Sequence, residues 1–133
     1  MIRVATTDDA SALSRLQAHL SSPAPDLLRV ALAAGDVLVS DVEGDPVAYV
    51  LTIPDGEGTT VHVGELVVDP PHRREGRAAA LLDAVARGAE RVTLTVEPDN
   101  EAAIACYRAC GFERVARLDG YFEDGPALFF VRD

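Results

Sequence analysis

The chain has 133 residues, enough for one domain with one core. Its twelve cations, all arginine, face 22 carboxylates for a formal net charge of −10. That balance excludes nucleic acid as a partner, because such binding needs a basic footprint, and no apolar run reaches the ~18 residues of a membrane span.

The acidity is spread along the whole chain, a pattern that fits an acidic proteome and solubility at high salt. The opening MIRVATTDDA lacks the basic start and apolar stretch of a signal peptide, so a cytoplasmic protein is expected. Two cysteines, Cys106 and Cys110, stand four apart. They suit one helix face rather than a disulfide, and with no further ligands in view they do not suggest zinc.

In chain order, Ile2 to Ala5 reads as a first strand. Thr7, Asp8 and Asp9 are helix-start residues, and Ala10, Leu13, Leu16, Gln17 and Leu20 repeat at helical spacing. Residues 21–25 break the chain, Asp26 to Ala34 forms a second helix, and Gly35 ends it. Val37 to Ser40, Val47 to Ile53 and Thr59 to Val68 read as strands two to four, joined by turns at 43–46 and 54–58. A helix from Gly76 to Gly88 precedes strand five, Arg91 to Val96. Another helix begins after Asn100 and runs through Cys110 to Gly111. Strand six is Phe112 to Leu118, residues 119–125 form a polar loop, and Ala127 to Val131 is strand seven. A meander followed by βαβ units makes one mixed α/β domain over residues 1–133.

The stretch from Glu65 to Val85 organises the rest. Pro70 and Pro71 stop strand four, since neither can donate to a sheet ladder. A basic turn, His72-Arg73-Arg74-Glu75-Gly76-Arg77, then meets an Ala- and Leu-rich helix start. Free amides and partial positive charge at a helix N-terminus suit an anion such as a pyrophosphate, and Gly76 and Ala78 keep the turn bare. The alternative is an ordinary strand-to-helix connection with solvated arginines.

Two blocks carry a resemblance: Arg73-x-x-Gly76-x-Ala78 after Val67-Val68-Asp69-Pro70, and Asn100-x-x-Ala103-x-x-x-Tyr107-x-x-x-Gly111-Phe112. In this order and separation they resemble the GNAT superfamily of acetyl-CoA-dependent N-acetyltransferases. The likeness is strong over residues 60–132 and rests on element order before that. The closing run from Tyr121 to Leu128 resembles the tail of protein N-terminal acetyltransferases, including the ribosomal-protein-alanine type, with Phe122 where a second tyrosine is common.

The resemblance implies a seven-stranded mixed sheet with about four helices, strands four and five splayed. It implies acetyl-CoA as co-substrate, with its pantetheine arm along the backbone of Val67 and Val68. The pyrophosphate would lie on the turn formed by Arg73, Arg74, Glu75, Gly76, Arg77 and Ala78. A backbone N–H between Leu66 and Val68 would meet the thioester oxygen. Tyr107 would be the acid for the leaving thiolate, and Asn100 would cap its helix and contact the cofactor. A core aromatic and a plain cap are the alternatives for these two.

The base is open. Relatives that acetylate protein N-termini often carry a glutamate where Thr95 stands, and threonine cannot act as a base at neutral pH. His62 is the candidate instead, with Glu65 and Glu97 as alternatives. Strict alternation would put His62, Gly64, Leu66 and Val68 on one face. Glu65 and Tyr121 are the candidate substrate contacts. The expected acceptor is a protein or peptide α-amine. A small-molecule amine and a non-catalytic acyl-CoA sensor are the rival readings. A monomer or homodimer is expected, with neither nucleic acid nor membrane as partner.

Overall fold

The computed structural model describes residues 1–122 and 125–133. Strand β1 (Ile2–Val4) leads through a 3-10 turn at Thr7–Asp9 into helix α1 (Ala10–Gln17). The turn is fixed by the Thr6 N–H donating to Asp9 at 2.8 Å, while Arg3 clamps Asp9 and Asp41 at 2.8 and 2.7 Å. Helix α2 (Pro25–Ala34) starts on a proline, whose missing N–H costs nothing there, and stops at left-handed Gly35. Strands β2 (Val37–Val42), β3 (Asp45–Pro54) and β4 (Thr60–Val68) follow as a meander. Then come a 3-10 turn (Pro70–His72), helix α3 (Arg77–Arg87), strand β5 (Arg91–Val96) and helix α4 (Glu101–Ala109). Strands β6 (Glu113–Phe122) and β7 (Gly125–Arg132) close the chain.

All seven strands form one sheet in the order β1-β2-β3-β4-β5-β7-β6, with β4 and β5 parallel and every other pair antiparallel. Apolar side chains cover both faces. On one face Leu81, Leu82 and Val85 of α3 pack with Val63, Leu94 and Phe130. On the other, Leu13 and Leu16 of α1 and Leu28 of α2 pack with Val39, Tyr49 and Val67. Leu81 and Leu82 are wholly buried, and each such leucine contributes about 1.5–3 kcal/mol. No helix among the described residues is long and apolar enough to cross a membrane.

Strand β4 is bulged. Leu51 of β3 pairs with Glu65 and Thr52 with Val63, leaving Gly64 as the extra residue. A Cβ at Gly64 would lie 2.9 Å from Leu51 Cδ2 and 3.1 Å from Ile53 Cδ1, so glycine fits the crowded spot. The extra residue breaks the expected alternation. Leu66 and Val68 pack with Val61 and Val63 on the α3 side, whereas Val67 packs with the α1 side. His62 therefore does not share a face with Leu66 and Val68.

Several element ends also differ from the sequence expectation, most of them by one or two residues. Helix α3 begins at Arg77, with Gly76 as a left-handed cap. Helix α1 ends at Gln17, and turn bonds from His19 to Leu16 and from Leu20 to Gln17 carry the chain on. Strand β6 runs to Phe122 through an irregular register with β7, so most of the expected polar loop is strand. Glu123 and Asp124 lie outside the described residues.

Candidate active site

Strands β4 and β5 pair only from Thr60–Arg91 to Val63–Leu94. Beyond that point they part, and the opening is a cavity of about 230 Å³. Its walls come from the splayed strand ends (Val63 to Leu66 and Leu94 to Glu97), from Asn100 and Tyr107, and from Leu20, Ser21 and Ser22 of the α1–α2 connection. A crevice at the C-terminal ends of parallel strands is where open α/β sheets receive ligands.

The backbone edge facing this opening can be oriented from one bond. The Asp69 N–H donates to Val47 O on β3 at 2.8 Å. Alternation along a strand then turns the Leu66 and Val68 amides and carbonyls the other way, toward the edge that β5 has left. The Val68 carbonyl on that edge accepts from Arg73 Nε at 3.1 Å. Val67, by the same count, points its backbone polar groups to β3.

Past the prolines the turn carries two left-handed residues, Arg74 (φ 64°) and Gly76 (φ 79°). The first α3 backbone bond runs from Ala80 N–H to Gly76 O, so the amides of Arg77, Ala78 and Ala79 precede the helical ladder. The helix has no side-chain cap. Bare amides, a left-handed glycine cap and exposed Arg73 and Arg74 match what an anionic diphosphate requires. Arg77 points elsewhere: its Nη1 donates to Ser40 Oγ at 2.8 Å and its Nε to Glu75 at 3.0 Å. It fastens the turn to β2. Glu75 also meets His72 at 3.4 Å, and its carboxyl is held below the usual range, first by Arg77.

Asn100 caps α4, its Oδ1 accepting from Ala103 N–H at 3.3 Å, and it lines the cleft. Two turns further on, Tyr107 lines the same cleft with its ring against Phe112 and Phe130, at centroid distances of 6.1 and 6.4 Å. Its phenol is pushed up to about 12, by burial first and then by Cys106 and Cys110. Both cysteines are free thiols. Among the described residues no group of three His, Cys, Asp or Glu could hold a metal.

Glu65 is buried, and both its oxygens are engaged. Gln17 Nε2 donates to them at 3.1 and 3.2 Å, the Tyr49 hydroxyl at 2.9 Å and the Ala24 N–H at 3.2 Å. Burial and this carboxylate together raise the Tyr49 phenol. His62 stands outside the cleft lining, its Nδ1 2.8 Å from Thr93 Oγ1, and burial lowers its imidazole. Thr95 and Glu97 line the cleft. Tyr121 is half exposed near the end of β6 and does not line the cavity.

The fold thus brings Glu65, Asn100 and Tyr107 to one cavity, beside the edge of Leu66 and Val68, and leaves His62 and Tyr121 outside its walls. Sequence reasoning missed the wall from Leu20 to Ser22 and the partners Gln17 and Tyr49. One signal was present: Gln17 is a polar residue within an otherwise apolar helical repeat.

A family model described as "Acetyltransferase (GNAT) family" matches residues 9–112. Over 76 residues the chain is 37% identical to an N-alpha-acetyltransferase of Saccharolobus solfataricus, covering 53% of this chain and 46% of that protein. Over 115 residues it is 36% identical to a mycothiol acetyltransferase of Kineococcus radiotolerans, covering 82% of this chain and 38% of that protein. The chain thus spans less than half the length of these two relatives. The crystal structure of Ard1 from Thermoplasma volcanium superposes with a TM-score of 0.85 at 27% identity, covering 99% of this chain and 95% of that one. With the splayed strands, the glycine-capped turn and the tyrosine at the cleft, the match places the chain in the GNAT acetyltransferase family.

Proposed function

We propose that the chain transfers an acetyl group from acetyl-CoA to the α-amine of a protein or peptide N-terminus. Acetyl-CoA supplies the acetyl group as a thioester. The turn from Arg73 to Ala78 would hold the diphosphate, through backbone amides and the exposed Arg73 and Arg74. The edge of Leu66 and Val68 would pair with the pantetheine arm, and the Leu66 N–H would donate to the thioester oxygen as it gains negative charge. Val67 would contribute through its place in the strand, and Asn100 by placing the start of α4.

In the transfer, the amine nitrogen bonds to the carbonyl carbon and the carbon–sulfur bond breaks. The proton lost by the amine ends on the sulfur or in solvent. Tyr107 donates a hydrogen bond to the departing sulfur. With its phenol near 12 and a free thiol near ~8.5, outright proton transfer to the thiolate is uphill by about 5 kcal/mol. Tyr107 therefore stabilises the thiolate while keeping its own proton until another replaces it.

Deprotonation needs little help for this acceptor. An α-amine of pKa ~7.7–8 is neutralised at pH 7 for about 1 kcal/mol, whereas a lysine side chain costs nearly 5 kcal/mol. His62, off the cleft wall and kept neutral by burial, would take a proton only through water. The observation that carries the choice of acceptor is the charge of the cleft. Its described lining holds two carboxylates, Glu65 and Glu97, and no cation. That lining favours an incoming ammonium and disfavours a free amino acid, whose own carboxylate would lie beside its amine. Relatives that acetylate N-termini and a relative named for mycothiol both match, so small amines are the second reading.

The test is thiol release from acetyl-CoA with N-terminal peptides, polyamines, free amino acids and a peptide blocked at its α-amine but carrying lysine. N-terminal peptides are expected to give the highest kcat/KM. A preference for polyamines or amino acids would replace the peptide reading. Acetyl-CoA binding without thiol release from any amine would make the chain a sensor.

A further inference from the structure

A carboxylate this deeply buried must be compensated, by a cation or by several donors. Among the described residues Glu65 has only neutral donors, and they come from three separate segments. Gln17 is the last residue of α1, and Ala24 is the residue before α2. The connection between the two helices is thus fastened at both ends to one side chain. Leu20, Ser21 and Ser22, which lie between the two fastenings, form a wall of the cleft. The third donor, Tyr49, is wholly buried on β3 and holds the carboxylate against the sheet. The bulge at Gly64 puts Glu65 on this side of β4.

We infer that Glu65 is a positioning residue for the acceptor, and that it acts through the α1–α2 connection rather than as the base. The inference rests on the reading of the cleft as an acyl-transfer site. Both carboxylate oxygens already accept from the protein. A proton placed on either oxygen would remove the charge and one acceptor place, and so weaken the fastening. A general base is protonated in every turnover, so Glu65 would have to loosen the wall of its own site each time. As an anchor it keeps the wall still, which lowers the ordering cost the acceptor meets on docking. The strand bulge, the buried carboxylate and the first helical hairpin then work as one unit. The unit sets how well an amine is held, and it leaves the acetyl-CoA turn on the far side of β4 untouched.

Glu65→Gln and Gln17→Met separate the two roles. In Glu65→Gln the negative charge goes and an NH2 takes one of the two acceptor places, so the charge-assisted fastenings are weakened to neutral ones. In Gln17→Met the carboxylate stays and only the α1 fastening goes. For both variants the acceptor KM is expected to rise roughly tenfold, the worth of one such bond, with acetyl-CoA affinity within about twofold of the parent. Hydrogen exchange at the Ala24 amide is expected to quicken by a similar factor in Glu65→Gln, a readout that needs no acceptor. A fall in kcat with unchanged acceptor KM, together with loss of the acidic limb of the pH–rate profile only in Glu65→Gln, would make Glu65 the base and overturn the inference. Unchanged Ala24 exchange in Glu65→Gln would also overturn it, whatever the activity. If no amine in the panel is acetylated, the reading of the function fails, and the Ala24 exchange still decides the anchor.

Discussion

Tyr107 and Gly76 each admit a substitution that isolates one physical effect. Tyr107→Phe keeps the ring against Phe112 and Phe130 and removes only the hydroxyl. If the hydroxyl supports the departing thiolate, kcat falls about 10²-fold while acetyl-CoA affinity changes less than about twofold. An unchanged kcat would reduce Tyr107 to a core aromatic. Since the phenol is pushed up to about 12, any alkaline limb below about pH 10 must come from another group and survive in the variant. At Gly76 a Cβ would meet nothing within 4 Å, yet φ is 79°. Gly76→Ala therefore tests backbone strain alone, worth about 1 kcal/mol of stability. Gly76→Glu adds the same strain plus a negative charge at the helix N-terminus. Acetyl-CoA affinity, measured by calorimetry, is expected to fall little in the first variant and more than about tenfold in the second. Equal affinities in the two variants would remove the diphosphate from this turn.

At the scale of elements, the bulge in β4 decides which side chains meet the cleft. Gly64→Val would push a Cβ to 2.9 Å from Cδ2 of Leu51, a wholly buried side chain that would have to shift. A loss of about 1–3 kcal/mol follows for overpacking, read by denaturant melts. Gly88→Ala is the control, because its Cβ would meet only Val85 O at 3.8 Å, and it should melt within about 0.5 kcal/mol of the parent. Equal melts for the two variants would mean that the bulge is not held by crowding. This element also marks the limit of what the sequence discloses. The strands and the helices follow from periodicity and turn residues, and the splay and the approximate place of Tyr107 from the family resemblance that two motifs carry. The bulge does not, because a glycine in a run of alternating residues reads as one more strand position. Once it was missed, His62 was assigned to the row of Leu66 and Val68. Arg77 was likewise grouped with its neighbours as a phosphate ligand, although the depth of Ser40 on β2 draws its guanidinium inward. Contacts of this kind join residues far apart in the chain, and spacing alone does not reveal them.

For the molecule as a whole, a formal net charge of −10 has opposite consequences for stability and for acceptor binding. Exposed ion pairs such as Arg91–Asp133 and Arg117–Asp119 contribute about 0–1 kcal/mol each, and salt weakens them. The surplus of carboxylates repels itself over longer distances. Raising salt from 0.05 to 1 M shortens the screening length to about 3 Å and relieves that repulsion. With ten more acids than bases the relief outweighs the lost pairs, so Tm should rise by several degrees. The same screening weakens the pull of exposed Glu97 on an incoming ammonium, and that of buried Glu65 much less. At saturating acetyl-CoA, the acceptor KM should therefore climb over the same range in which Tm climbs. A neutral osmolyte, which leaves charges alone, should raise Tm without raising KM. If salt lowers Tm, the local pairs govern stability. If KM is flat in salt while Tm rises, the carboxylates of the cleft do not recruit the acceptor, and the preference for an amine free of a neighbouring carboxylate must have another origin.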